Sequence, residues 1–101
     1  MRITEFEKSV IIRVTKTLFS DFELFLFGSR VDDTKKGGDI DIYIKLRKKL
    51  NIDKLIEKET TFLTELQKEI GFQKIDLVIN NNDENNKIIY QMAESTGIKL
   101  C

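Results

Sequence analysis

Three aspartates and one Gly-Ser step carry the chemistry open to this chain. Asp39 and Asp41 alternate with Ile40, Ile42 and Ile44 in a run otherwise suited to a buried strand, and Asp76 interrupts the β-branched run of a second strand-like segment, Gln73 to Ile79. Asp is disfavoured in strands, and like charges on one face repel unless something positive lies between them. Side chains two apart on a strand point the same way, roughly 7 Å apart at Cα, so Asp39 and Asp41 offer two carboxylates to one side. Hard oxygen donors of this kind suit Mg²⁺ or Mn²⁺. If the two strands are neighbours, Asp76 adds a third carboxylate. Three such groups can seat two ions about 4 Å apart, which stabilises the entering and leaving oxygens of phosphoryl or nucleotidyl transfer.

Phe27-Gly28-Ser29-Arg30 supplies the complement. A glycine after a strand permits close backbone approach, Ser29 and the amides after it can hold a phosphate at the start of a helical turn, and Arg30 adds a charged donor for the same anion. A phosphate cradle beside a carboxylate pair implies a metal-bound nucleoside triphosphate. Each residue also has a plainer use. Asp39 and Asp41 suit the wet side of an amphipathic strand, Ser29 a helix cap, Asp76 a pairing with Lys74, and Arg30 a surface ion pair. The combination favours the site.

The elements that must position these residues follow from periodicity. Thr4-Glu5-Phe6-Glu7 is a capping box, and Phe6, Val10, Ile11, Val14 and Leu18 recur at helical spacing, predicting a helix from about Glu5 to Phe19. Phe22–Phe27 is apolar on both faces except at Glu23 and reads as a central strand. A polar loop runs to Gly38. The second strand runs from Asp39 to about Leu46, with Ile40, Ile42 and Ile44 on one face and Asp39, Asp41 and Tyr43 on the other. Asn51 or Asp53 caps a helix to about Ile70, its face formed by Leu55, Ile56, Phe62, Leu63, Leu66 and Ile70, with Gly71 as the stop. Gln73–Ile79 is the third strand. Asp83 caps a last helix through about Ser95, buried through Ile88, Ile89, Met92 and Ala93, and Ile98–Leu100 adds a short edge strand. The expectation is one α/β (α+β) domain over residues 1–101, a small mixed sheet with helices packed against it.

Composition narrows the chemistry further. The 101 residues are 41% hydrophobic and 34% charged, with no proline, which places the chain among folded domains. Seventeen basic residues balance seventeen acidic ones, giving no global reason to expect a nucleic-acid duplex as partner. The cluster Lys45, Arg47, Lys48 and Lys49 suits either RNA or phosphate contact or a solvated strand exit. The absence of histidine removes Ser-His-Asp and Cys-His schemes and HExxH zinc sites, and the lone Cys101 removes an internal disulfide framework. An EF-hand fails because Lys36 takes a ligand position in the acidic loop, and a P-loop fails for want of Gly-Lys-Ser/Thr. No signal-like or membrane-spanning run is present, and a cytoplasmic location is expected.

The order of apolar strand, Gly28-Ser29, spacer, Asp39-x-Asp41 on a strand and a later apolar-Asp76-apolar strand resembles the DNA polymerase β-like nucleotidyltransferase superfamily. In a chain this short it resembles the minimal, MntA-like branch. The likeness covers nearly the whole chain. One departure is the spacer: nine residues separate Ser29 from Asp39, with Val31-Asp32-Asp33 where the commonest minimal members carry a small-Arg-Gly sequence and one residue more.

The resemblance implies a nucleotidyltransferase palm in which Gly28 and Ser29 contact the triphosphate and Asp39 and Asp41 bind two Mg²⁺ ions. Asp76 would bind the catalytic ion and help deprotonate the attacking hydroxyl. It further implies AMP transfer from ATP to a tyrosine of a HEPN-domain ribonuclease toxin, making this chain an antitoxin in a hetero-oligomer. Two alternatives stay open: neutralisation of such a partner by binding alone, and a small-molecule adenylyltransferase subunit, disfavoured for want of an added helical domain.

Overall fold

The structure is a computed structural model and describes residues 3–28, 40–83 and 87–101. In chain order it contains α1 (Glu5–Leu18), β1 (Phe22–Phe27), β2 (Ile40–Leu46), α2 (Ile52–Ile70), β3 (Ile75–Asn80), α3 (Lys87–Thr96) and β4 (Ile98–Lys99). The four strands form one mixed sheet in the order β3-β2-β1-β4. β1 is antiparallel to both β2 and β4, whereas β2 and β3 run parallel and are joined through α2. The sheet extends past β4, since the Leu24 N–H donates to Cys101 O (2.8 Å) and the Leu100 N–H to Leu24 O (2.7 Å).

Alternation along the strands sorts the core into two layers. Leu24, Leu26, Ile40, Ile42, Ile44 and Leu46 face α1 and α2 and pack with Val10, Ile11, Val14, Phe62 and Leu66. On the other face Phe25, Phe27 and Tyr43 pack with Tyr90 and Ala93 of α3. Phe62 and Leu66 are fully buried one helical turn apart, and truncating Phe62 to Ala would cost about 3–5 kcal/mol through the cavity it leaves.

Local chemistry sets the helix ends. The capping box forms: Thr4 Oγ1 accepts from the Glu7 N–H (3.0 Å) and Glu7 Oε1 from the Thr4 N–H (2.9 Å). α1 stops at Leu18, one residue before the sequence expectation, because Phe19 is extended (φ −124°). The orphaned Leu18 carbonyl is taken by Lys58 Nζ at 2.7 Å, a cation at a helix C-terminus. Asn51, not Asp53, caps α2, accepting from the Lys54 N–H (2.9 Å). Beyond β3, Asn81 behaves as a stretch of backbone: its side chain accepts from Leu50 N–H and donates to Leu50 O, both at 2.9 Å.

Four expected core positions are corrected. Phe6 is exposed because burial on the α1 stripe begins one turn later, at Val10, and Ile56 is exposed because it sits two turns before Leu63 at the rim of α2. Ile88 and Met92 are exposed because α3 turns Tyr90 inward beside Ala93, which is buried as expected, with Ile89 partly buried. The third strand starts at Ile75 rather than Gln73 and runs to Asn80. Of the last helix, residues 84–86 lie outside the described residues. Among the described residues no helix is long and apolar enough to cross a membrane.

Candidate functional site

β1 delivers the chain to one end of the sheet, where Phe27 stands opposite Asp41 of β2 and Asp41 stands opposite Asp76 of β3. Directly paired residues on adjacent strands share a face, with backbones roughly 4.8 Å apart. The parallel register therefore sets the two carboxylates side by side at the starts of β2 and β3. Asp41 is half-buried and Asp76 exposed. Like charges so placed repel, and a divalent cation between them removes that cost.

Gly28 follows directly after β1 with φ +78°, a conformation that favours glycine. A Cβ there would overlap Asp41 Oδ2 outright and stand 2.8 Å from Asp41 Cγ. The Asp41 carboxylate thus lies against the bare Cα of Gly28. Beside the phosphate contact expected from the sequence, Gly28 has a further task in the structure, leaving room for a carboxylate from the next strand.

Of the six expected site residues, Gly28, Asp41 and Asp76 are brought together, while Ser29, Arg30 and Asp39 lie outside the described residues. Among the described residues no group of three metal-binding side chains is assembled. Two adjacent carboxylates nevertheless fit Mg²⁺, which is commonly held by one or two carboxylates together with substrate phosphates.

Beneath the carboxylates lies a polar network absent from the sequence reading. Tyr43, two residues after Asp41 and fully buried, donates its hydroxyl to Glu94 Oε2 (2.6 Å) and accepts from Asn80 Nδ2 (3.1 Å). Lys45 Nζ reaches Glu94 Oε1 at 3.1 Å. The Tyr43 ring sits between Phe25 (5.5 Å between centroids) and Tyr90 (5.8 Å). Asn80 is four residues after Asp76, so the Asn80–Tyr43 bond ties β3 to β2 on the face that carries the aspartates and holds their register. The signal was present: a period of two from Asp41 reaches Tyr43 and Lys45, and from Asp76 it reaches Asn80.

Burial, then the bond to Glu94, pushes the Tyr43 phenol well above its ordinary range. Tyr90, buried and bonded to Asp83, is pushed up to about 12. For Glu94 burial acts to raise the carboxyl, but the hydrogen bonds from Tyr43 and Lys45 and the Lys45 charge outweigh it and leave the carboxyl below its ordinary 4.5. A lowered folded value means stability present above the unfolded value and lost as pH falls through the folded one. The melting temperature should therefore drop more steeply below about pH 4.5 in the wild type than in Glu94→Gln, as thermal melts across pH 3–7 will show. Of the basic cluster, Lys45 is engaged with Glu94 and Arg47 with Asp21 (2.8 Å) and Glu23 (3.6 Å), which fits an ion-paired strand exit.

Comparison with known structures gives the same fold. The chain superposes on a chain of the complex between a tri-AMPylated Shewanella oneidensis HEPN toxin and an MNT antitoxin, with TM-score 0.64 and 20% identity over 94% of this chain and 69% of that one. It likewise resembles a chain of a toxin-antitoxin crystal structure with AMP-PNP, at TM-score 0.66 and 21% identity over 93% and 72% of the two chains. A third likeness is to a mutant of the MntA–HpeT toxin-antitoxin pair, at TM-score 0.67 and 18% identity over 93% and 71%. No curated protein sequence is significantly similar. Residues 11–101 match the family model described as Polymerase beta, Nucleotidyltransferase, and by that match the chain belongs to the polymerase β-type nucleotidyltransferase family.

Proposed function

We propose that this protein is a Mg²⁺-dependent adenylyltransferase that moves AMP from ATP to a hydroxyl of a protein partner, a tyrosine of a HEPN-domain toxin, and so acts as an antitoxin. The observation that carries the reading is the in-register pair Asp41 and Asp76 at the sheet end where Gly28 leaves β1. Asp41 and Asp76, with Asp39, would hold the divalent ions, and Ser29, Arg30 and the backbone at Gly28 the triphosphate. The ions, when bound, supply Lewis-acid stabilisation of the α-phosphate and of the departing oxygen.

Asp76, on the exposed side of the pair, faces the incoming hydroxyl and accepts its proton. The acceptor oxygen forms a bond to the α-phosphorus, the bond from that phosphorus to the bridging oxygen breaks, and pyrophosphate leaves with the electron pair. Positioning and fixed charge supply the catalysis. Support from relatives is of two kinds: one structure of the same fold holds AMP-PNP, and another contains an AMPylated HEPN toxin.

Two measurements test the reading. ATP with Mg²⁺ should raise the melting temperature by several degrees, because a ligand at 100 times its Kd adds about 2.7 kcal/mol. ATP with EDTA should not. Incubation with α-labelled ATP, Mg²⁺ and the co-expressed HEPN-domain protein should label that protein on tyrosine. Absence of any Mg²⁺-dependent shift, or full neutralisation of the toxin by a chain lacking Asp41 and Asp76, overturns catalysis as the mode of protection.

A further inference from the structure

β3 is an edge strand: among the described residues β2 is its sole sheet neighbour, and its outer N–H and C=O groups have no strand beside them. α3 packs on the sheet through Tyr90 and Ala93, and between its outer side and this edge lies an open trough of about 820 Å³, lined by Val78, Ile79, Ile88, Ile89 and Met92, with Lys87 and Tyr90 as polar members. The Tyr90 hydroxyl donates to Ile79 O (3.5 Å) at the far end of the edge. Ile88 is 84% exposed and Met92 47%. Asp76 is the second residue of the same strand, and Leu77, the residue after it, already lines the trough. The trough therefore begins beside a proposed catalytic carboxylate.

We propose that this edge docks the acceptor: an extended, largely apolar segment of the protein substrate adds as a further strand to β3, seats alternate side chains in the trough, and carries an acidic residue to Lys87. The inference rests on the function proposed above. An unpaired strand edge is satisfied by extended backbone. Alternate side chains on such a strand recur about every 6.6 Å, so an acceptor residue level with Asp76 lies two positions from the one level with Val78. The recognised pattern is thus a hydroxyl-bearing residue and an apolar one separated by a single residue, in that order for parallel addition and reversed for antiparallel addition.

The trough's walls are mostly apolar, and the Tyr90 hydroxyl is already engaged by Asp83, so most hydroxyls of a sugar-like acceptor would stay unpaired there. A second copy fits less well, because antiparallel self-pairing centred on Val78 places Asn80 of each copy against Asp76 of the other and closes both sites.

The probe is the co-expressed HEPN-domain protein, mixed with the full chain and with an Ile88→Asp, Met92→Asp double variant. Ile88 is mostly and Met92 about half exposed, so the variant should still fold cooperatively, as a thermal melt without ligand will show, and an Ile88→Asp single variant supplies the same readout where the double variant melts lower. Binding is read by titration and by hydrogen exchange, independently of chemistry. The expected result is at least a tenfold weaker Kd for the variant, and slowed exchange of the outward Leu77 and Ile79 amides in the wild-type complex. Unchanged affinity of the variant, unprotected β3 amides, or no binding by the wild type overturns the proposal. So does a wild-type dimer that the double variant makes monomeric while acceptor binding persists. Failure of the wild type to bind ATP with Mg²⁺ tells against the adenylyltransferase reading alone, since the binding arm uses no nucleotide.

Discussion

Asp41→Asn is expected to lower AMP transfer by about 10²–10³-fold, the usual loss when one preorganised electrostatic group is removed from a site of charge transfer. Asp76→Asn should act similarly. Asn keeps the shape of Asp, so neither change opens a cavity or disturbs the sheet. The sign of the stability change separates a metal-binding pair from a structural one. Asp76 is exposed and stands opposite Asp41 on the neighbouring strand, so neutralising Asp76 relieves repulsion and should hold or slightly raise the melting temperature without Mg²⁺. With Mg²⁺ and ATP the order reverses: the wild type gains stability by ligand linkage and the variants do not. Melts of both proteins with and without Mg²⁺-ATP, alongside labelled transfer, decide it. Variants as active as the wild type would remove these carboxylates from the reaction.

Gly28→Ala should be nearly as damaging, for a different reason. Its Cβ would occupy the space of the Asp41 carboxylate, and its φ of +78° is a region that costs a non-glycine residue about 1–2 kcal/mol. Asp41 has to turn away or β1 has to shift, and either misplaces the carboxylate by an ångström or more. A misplacement of that size costs about 10²-fold in rate. The two contributions can be separated. In an Asp41→Ala background the clash disappears while the backbone cost stays, so Gly28→Ala should destabilise the double variant less than it destabilises the wild type. Equal destabilisation in both backgrounds would show that the carboxylate does not rest on Gly28.

The parts of the fold legible in the sequence are those governed by neighbours in the chain. The capping box at Thr4 and Glu7, the stop at Gly71 and the alternation of Ile40, Ile42 and Ile44 depend on local geometry, and all three form as expected. The adjacency of Asp41 and Asp76 was legible only on condition that their strands pair, because a carboxylate in a strand does not reveal which strand lies beside it. The contact between Gly28 and Asp41 spans two strands and could not be read from either segment alone. On α3, Ala93 and Ile89 pack as expected, but Ile88 and Met92 were misread for a chemical reason. Counting aliphatic residues favours Ile88 and Met92, yet an aromatic ring that stacks on Tyr43 and also reaches Asp83 gains more from burial. Tyr90 turns the helix, and the aliphatic pair is left in water.

The pairing of residues 98–101 with β1 also bears on how the protein is made. β1 is complete once residue 27 is synthesised, but the partner on its outer edge is Ile98–Lys99 and the residues just after it. At roughly 5–20 residues per second a ribosome takes about 4–15 s to reach that partner. For that interval the edge of a strand reading Phe-Glu-Leu-Phe-Leu-Phe stays open to any other extended chain, a known route to aggregation. Yield from expression should thus depend on synthesis speed and chaperone supply more than the stability of the finished fold would suggest.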